Sequence, residues 1–283
     1  MAVYQQVLTD DGFVKQEQLH FPFEERGLQF GDGIYEVIRI YNGHYYLLTE
    51  HIDRLYRSAK AIRLHLPFRK QDLCKQLLEL LEVNHVRTDA KLYLQATRGS
   101  APRDHAFPNA AINFYAYIED LPRPTENLLQ GVETITTPDV RWQHCHIKSL
   151  NLLPNVLAKQ EAIDHGCFEA IFHNNGKVTE CSSSNIYIVK KGIIFTHPET
   201  NQILHGCVRS KVKQFATSLS IPFVEKRFLL EDLSRADEVF LSSSTSEIMP
   251  VIKIDGYKVA TGQPGALTKK LQHAYEQDAG IRD

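Results

Sequence analysis

The sequence predicts a mixed chain of the α+β or α/β class, folded as two domains. Short apolar runs bounded by Gly, Asn and Asp recur along the whole chain, and between them lie segments with apolar residues three and four apart. The 283 residues and 43% apolar content suffice for one large core or two medium ones. Leu121-Pro-Arg-Pro-Thr-Glu126, with two prolines in a polar setting, is the best boundary. The expected division is a small N-terminal domain over 1–120, a linker over 121–126, and a larger C-terminal domain over 127–283 that carries Lys148.

In order, strands are expected at 3–8 and 12–14 around Asp10-Asp11-Gly12, then a polar, Gly-rich loop over 24–33. Asn42-Gly43 between 34–41 and 44–48 marks a hairpin, because Asn-Gly suits the type I′ turn that strand twist demands. Thr49 is a plausible N-cap for a helix with Ile52, Leu55, Tyr56, Ala59 and Ile62 on one face. A second helix spans 70–83, with Leu73, Leu77, Leu80 and Leu81 inward. Strands at 91–97 and 111–118 flank a polar loop over 99–109. The second half reads as a strand at 132–136, a helix over 150–165 closed by Gly166, and a hairpin of 168–172 with 177–179. Strands at 185–189 and 192–196, a helix from about Cys207 to before Ile221-Pro222, a strand at 238–241 and a helix over 267–277 complete the chain.

A net charge of −2 argues against nucleic acid or an anionic membrane as the main partner. No run approaches the length of a membrane span, and the start lacks the pattern of a secretory signal. Five scattered cysteines without a CxxC pair read as reduced thiols in a cytoplasmic protein.

Lys148 stands between Ile147 and the apolar Leu150, Leu152 and Leu153, six residues after Trp142, the only tryptophan. If buried, its ammonium loses hydration and its pKa falls, and a neutral amine can form a Schiff base with a carbonyl. The competing reading is a surface lysine that snorkels to water.

Ile147-Lys-Ser-Leu-Asn-Leu-Leu153 followed by Leu157-Ala-Lys-Gln-Glu-Ala162 resembles the cofactor-lysine segment of the class IV, fold-type IV pyridoxal-phosphate aminotransferases. Phe30-Gly-Asp-Gly-Ile-Tyr-Glu-Val37, Glu50-His-Ile-Asp-Arg-Leu-Tyr56 and Thr97-Arg-Gly-Ser-Ala-Pro-Arg-Asp-His105 match as well. So do Val178-Thr-Glu-Cys-Ser-Ser-Ser-Asn185 and Ser243-Ser-Thr-Ser-Glu247. Single motifs of this kind are weak, but together they run in order from about Glu24 to about Leu271. Within the class the bacterial D-amino acid aminotransferase branch is the closest match.

The resemblance implies a two-domain fold with the active site between the domains, bound pyridoxal 5′-phosphate, and Lys148 as both Schiff-base lysine and proton carrier. Glu180 becomes the partner of the pyridine nitrogen and Leu204 the residue packed on the ring; read bare, Glu180 is an ordinary strand-end acid. Phosphate donors are Arg54, the amides of Cys207 and Val208 at a helix N-terminus, and Ser244. Against these stand a surface pair of Arg54 with Glu50 and ordinary turn chemistry at the serines. In an extended loop Arg103 and His105 point the same way and converge on a carboxylate, while Asp104 turns away. By resemblance Tyr35 joins them, and this loop reaches the active site of the neighbouring subunit of a homodimer.

Cys181 and Ser244 depart from the family pattern without removing a function. The implied activity is transfer of an amino group from D-alanine to 2-oxoglutarate, giving pyruvate and D-glutamate. Two alternatives stay open. One is another class IV enzyme: a branched-chain L-aminotransferase, an aminodeoxychorismate lyase or an R-selective amine transaminase. The other is a non-enzymatic ligand- or metal-binding protein, although His144-Cys145-His146 without a second pair is a poor zinc signature, and no metal is expected.

Overall fold

The computed structural model describes residues 2–281. The chain divides into two compact units, Met1–Arg123 with Ile147–Asn151 and Pro124–His146 with Leu152–Asp283.

The first unit contains β1 (Gln6–Thr9), β2 (Gly12–Lys15), α1 (Arg26–Phe30), β3 (Gly33–Tyr41), β4 (His44–Tyr45), α2 (Leu48–Ala61), α3 (Lys70–Val83), β5 (Ala90–Thr97) and β6 (Asn113–Asp120). Its strands form one antiparallel sheet in the order β2-β1-β6-β5-β3-β4. Alternation sets the two faces. Ile34, Ile38 and Ile40 of β3, with Leu92 and Leu94 of β5, pack against Ile52 and Leu55 of α2 and Leu73, Leu77 and Leu80 of α3. The opposite face carries Tyr35, Tyr93, Tyr115 and Tyr117, whose rings follow one another at 5.8, 6.1 and 6.4 Å.

The second unit contains α4 (Thr125–Gln130), β7 (Val132–Pro138), α5 (Leu153–Asp164), β8 (Glu169–Asn174), β9 (Lys177–Cys181), β10 (Asn185–Lys190) and β11 (Ile193–Thr196). It continues with α6 (Cys207–Ser218), β12 (Phe223–Glu225), α7 (Leu230–Ser234), β13 (Glu238–Ser243), β14 (Glu247–Ile254), β15 (Tyr257–Lys258) and α8 (Ala266–Asp278). The mixed sheet runs β12-β11-β10-β13-β14-β7-β8-β9, with β15 on β14. Its core gathers Ile171, Val178, Ile186, Ile188, Leu241 and Met249. No helix among the described residues is long and apolar enough to cross a membrane.

The structure differs from the sequence expectations at several elements, each for a local reason. The segment expected as a strand at 3–8 pairs continuously only from Gln6, and Val3 makes an isolated bridge to Glu119. The 24–33 loop contains α1, because the Glu25 carboxylate caps the Leu28 N–H at 2.7 Å and Gly31, at φ 65°, closes the turn. Thr49 is not the N-cap of α2; Leu47, at φ 60°, turns the chain directly from β4 into the helix. Residues 150–152 are not helical, and α5 starts at Leu153 with Pro154 in its first turn.

That last difference also explains where Lys148 lies. β4 covers only the far end of β3. The open stretch at Gly33 and Tyr35 is filled by the lysine segment instead: Tyr35 N–H donates to Lys148 O at 3.1 Å and Leu150 N–H to Gly33 O at 3.0 Å. Lys148 N–H donates to Ser58 Oγ at 3.1 Å. Lys148, expected with the C-terminal part, therefore packs with the first unit. The 121–126 linker stretch holds the change of unit at Arg123–Pro124, and α4 begins within it at Thr125.

Gly99 opens the loop toward Arg103 at φ 87°, and a Cβ there would lie 1.9 Å from the Ala111 carbonyl oxygen. Gly99→Ala should cost more than about 1 kcal/mol in urea unfolding, since both conformation and space oppose the side chain. An unchanged midpoint would contradict this.

Candidate active site

In the first unit, Lys148 is half-buried and its Nζ lies 4.0 Å from the centroid of the Tyr35 ring. β3 places Tyr35 and the backbone pairing described above places Lys148, so amine and phenol meet because the lysine segment bridges to β3. Gly33 permits that approach: a Cβ there would sit 2.7 Å from Leu150 Cδ1 and 2.8 Å from Ala96 O.

Arg54 is buried on α2, and its partner is Glu36 on β3. Nε donates to Glu36 Oε1 and Nη2 to Oε2, both at 2.7 Å, while His51 Nδ1 lies 2.7 Å from Oε2. The guanidinium is thus fixed by a bidentate carboxylate, whereas the bare sequence offered a surface pair with Glu50. Burial alone would push the Glu36 carboxyl up, but Arg54 and His51 more than offset this and hold it at about 2. A fork so fixed has little side-chain freedom left to lose on binding.

The loop of Arg103 and His105 is irregular, as expected, with both side chains exposed. The two converge on Phe30: the Arg103 guanidinium lies 4.8 Å from the ring centroid and the His105 ring 5.6 Å away, edge-on. Asp104 turns elsewhere, its carbonyl accepting from Arg26 Nη1 at 2.6 Å and its Oδ1 from Ala106 N–H at 3.1 Å. Arg26 in turn donates to Asp32 at 2.9 Å, which fixes the base of the loop.

In the second unit, Glu180 is buried at the end of β9. It accepts from Arg141 Nη1 at 2.5 Å, Asn185 Nδ2 at 3.1 Å, and the Leu204 N–H at 3.1 and 3.0 Å to its two oxygens. Burial pushes this carboxyl up, and Arg141 and the Leu204 N–H oppose that without overcoming it. Leu204 is half-buried beside it. Cys207 and Val208 are the first two residues of α6, where amides lack partners within the helix. Gly206 precedes them, and a Cβ there would lie 2.3 Å from Asn185 Oδ1. Ser244 sits in the turn between β13 and β14, shaped by the Ser246 N–H bond to Ser243 Oγ at 3.0 Å.

The first unit thus brings together Lys148 with Tyr35, and Arg103 with His105. The second brings Glu180 together with Leu204 at the approach to Cys207 and Val208. Sequence reasoning missed Glu36, Ser58, Asp139 and the clamp that Arg141 and Asn185 place on Glu180. Glu36 and Asn185 stood inside matching motifs, which was the available signal.

Among the described residues, no group of three or more His, Cys, Asp and Glu side chains is placed to hold a metal ion. His144, His146 and His205 follow one another at 5.9 and 6.3 Å between rings. Each unit holds group types that suit pyridoxal phosphate: in the first a primary amine and a fixed guanidinium, in the second a buried carboxylate, helix-end amides and hydroxyls.

The family model for amino-transferase class IV matches residues 33–254. D-alanine aminotransferase of Staphylococcus epidermidis (strain ATCC 12228 / FDA PCI 1200) is 45% identical over 273 residues, covering 96% of each chain. That of Bacillus licheniformis is 45% identical over 271 residues, covering 95% of each. Among solved structures, branched-chain aminotransferase from the archaeon Thermoproteus uzoniensis with norvaline superposes at a TM-score of 0.90, 28% identical, over 99% of this chain and 96% of that one. The T.th. branched-chain amino acid aminotransferase with pyridoxamine 5′-phosphate reaches 0.91 at 26% identity, over 99% and 95%.

A carboxyl held low in the fold stabilises it above its unfolded pKa, and that stability is lost as pH falls through the folded value. Glu36 therefore contributes fully above about pH 4.5 and loses its contribution toward pH 2. Glu36→Gln should be less stable than the parent by a constant margin from neutral pH to about pH 5, and the margin should shrink below that. Urea midpoints against pH would show it; a margin that stays the same down to the acid limit of folding would contradict it.

Proposed function

The chain belongs to the class IV aminotransferases, and from that premise we propose that it transfers the amino group of D-alanine to 2-oxoglutarate, giving pyruvate and D-glutamate. The observation that carries the choice of D-amino acids is the convergence of Arg103 and His105 on Phe30, in a loop fixed by Arg26 and Asp32. A guanidinium and an imidazole presented side by side suit a carboxylate. The full-length likeness to D-alanine aminotransferases supports the same choice.

Bound pyridoxal phosphate supplies a ring that accepts the electron pair left when substrate Cα loses its proton. The chain's own residues do the rest. Lys148 Nζ would hold the cofactor at rest and, as a free amine, would carry the proton taken from substrate Cα. Tyr35, against that amine, turns its hydroxyl to the substrate carboxylate. Glu180 would accept a hydrogen bond from the protonated ring nitrogen and so favour its charged form. Leu204 would lie against the ring. Arg54, the amides of Cys207 and Val208, and Ser244 would hold the phosphate.

Fixing the carboxylate at Arg103, His105 and Tyr35, with the hydrogen toward Lys148, leaves one place for the side chain. That selects one enantiomer.

The working form is a homodimer in which the Arg103–His105 loop serves the neighbouring subunit. Exposed apolar side chains on each unit support this: Phe23 and Leu28 on the first, Leu153, Val156 and Leu157 along α5 on the second. Five cysteines, none in a disulfide, fit a reducing, cytoplasmic setting.

Lys148→Ala should keep fold and dimer but lose the visible absorbance of the bound cofactor and all transamination; near-parental turnover would remove this lysine from the chemistry. Loss of a charge-assisted carboxylate contact costs on the order of 1.5–3 kcal/mol. Arg103→Ala should therefore raise the apparent constants for D-alanine and 2-oxoglutarate roughly ten- to a hundred-fold. Amines without a carboxylate should be spared. Steady-state kinetics with D-alanine and a simple R-configured amine decide this, and unchanged affinity for D-alanine would remove the carboxylate site.

A further inference from the structure

Behind Glu180 lies a second carboxylate that takes no part in the chemistry described so far. Asp139, just after β7, accepts from Arg141 Nε at 2.9 Å and from Arg141 Nη2 at 2.8 Å. It also accepts from the Thr179 hydroxyl at 2.7 Å and the Arg141 N–H at 3.2 Å. Arg141 lies 4.5 Å from the Phe172 ring centroid, and its Nη2 also reaches Gln202 O at 3.2 Å. Nη1 donates to Glu180.

The consequence is geometric. A guanidinium pairs best with a carboxylate through two parallel N–H bonds. Asp139 occupies the Nε–Nη2 edge of the Arg141 fork, and Glu180 receives a single bond from Nη1. Without Asp139, Arg141 could turn both nitrogens onto Glu180 and neutralise it. Asp139 thus holds Arg141 in register yet withholds its full charge.

The charges agree with this. Asp139 and Glu180 are anions and Arg141 is a cation, so the buried trio carries one net negative charge when ionised. Burial pushes Asp139 up, but Arg141 and Thr179 outweigh it and keep the group below its ordinary value, hence ionised. One buried negative charge in excess calls for one positive charge beside it. The proton-bearing ring nitrogen of pyridoxal phosphate supplies that charge.

We propose that Asp139 is a positioning residue: by engaging the Arg141 fork it leaves Glu180 with the unmatched charge that selects a protonated ring nitrogen. The inference rests on the assignment of Glu180 to that nitrogen.

The test uses the cofactor-free protein and two ligands. One is pyridoxal phosphate; the other is its analogue with CH in place of the ring nitrogen, which cannot carry the proton. Intrinsic fluorescence titration gives both affinities, and their ratio reports on the ring nitrogen alone. Asp139→Asn should lower the preference for the natural cofactor about ten-fold, the effect of one pKa unit at the ring nitrogen. Asp139→Glu, which restores the charge, should recover most of it. Thr179→Val, which frees Asp139 from its clamp without removing a charge, should lower it less, and it carries the test if Asp139→Asn does not fold.

A merely structural role would weaken both ligands equally and leave the ratio unchanged in Asp139→Asn, or in Thr179→Val if that variant stands in. Either result overturns the inference, provided Glu180→Gln does lower the ratio. If Glu180→Gln also leaves it unchanged, the assignment of Glu180 itself is wrong.

Discussion

The backbone pairing of Lys148–Leu150 with the open edge of β3 is the constraint on which the rest of the structure depends. A lysine on a free loop would sample many positions, and its amine would stay hydrated. Here two hydrogen bonds to β3 and one to Ser58 fix the peptide, and the side chain extends over Tyr35. Because β3 also carries Glu36, the same strand sets the position of Arg54 on α2. One strand thus positions both Lys148 and Arg54, and its isoleucines, on the face opposite Tyr35, tie it to the core of the unit.

Two buried arginine–carboxylate pairs repeat one device in the two units. Desolvating such a pair costs several kcal/mol per ion, so ion pairing alone is a weak reason for it to exist. Fixing a guanidinium fork is a better one. Glu36 holds Arg54 through Nε and Nη2. Asp139 holds Arg141 so that one nitrogen reaches Glu180.

Much of the fold was legible in the sequence. The leucines of α3 at helical spacing gave that helix its full extent, and Asn42-Gly43 marked the hairpin of β3 and β4. The start of α6 at Cys207 followed from its glycine-bearing approach. What stayed hidden depends on partners far along the chain. Residues 150–152 carry the apolar pattern of a helix but give their hydrogen bond to Gly33. β14 (Glu247–Ile254) is a continuous apolar strand whose position only its neighbours β13 and β7 define. α1 depends on a glutamate cap, an uncommon choice at that position.

The site divides the same way. Among the residues nominated from motifs, Lys148 meets Tyr35 and Arg103 meets His105 on Phe30 in the first unit, and Glu180 meets the Leu204 N–H in the second. The residues behind them were not visible: Glu36 and Arg54 are 18 apart in sequence, and Arg141 and Glu180 are 39 apart. No local spacing reports such pairs. The central claim is that the Arg103–His105 pair holds the α-carboxylate so that only a D-amino acid presents its hydrogen to Lys148. It is tested most directly by a coupled assay of the purified holoenzyme with D-alanine, L-alanine, D-glutamate and L-leucine as donors. Turnover with D-alanine and D-glutamate and little or none with the L-donors is the predicted result; preferred turnover of L-leucine or L-alanine would contradict it.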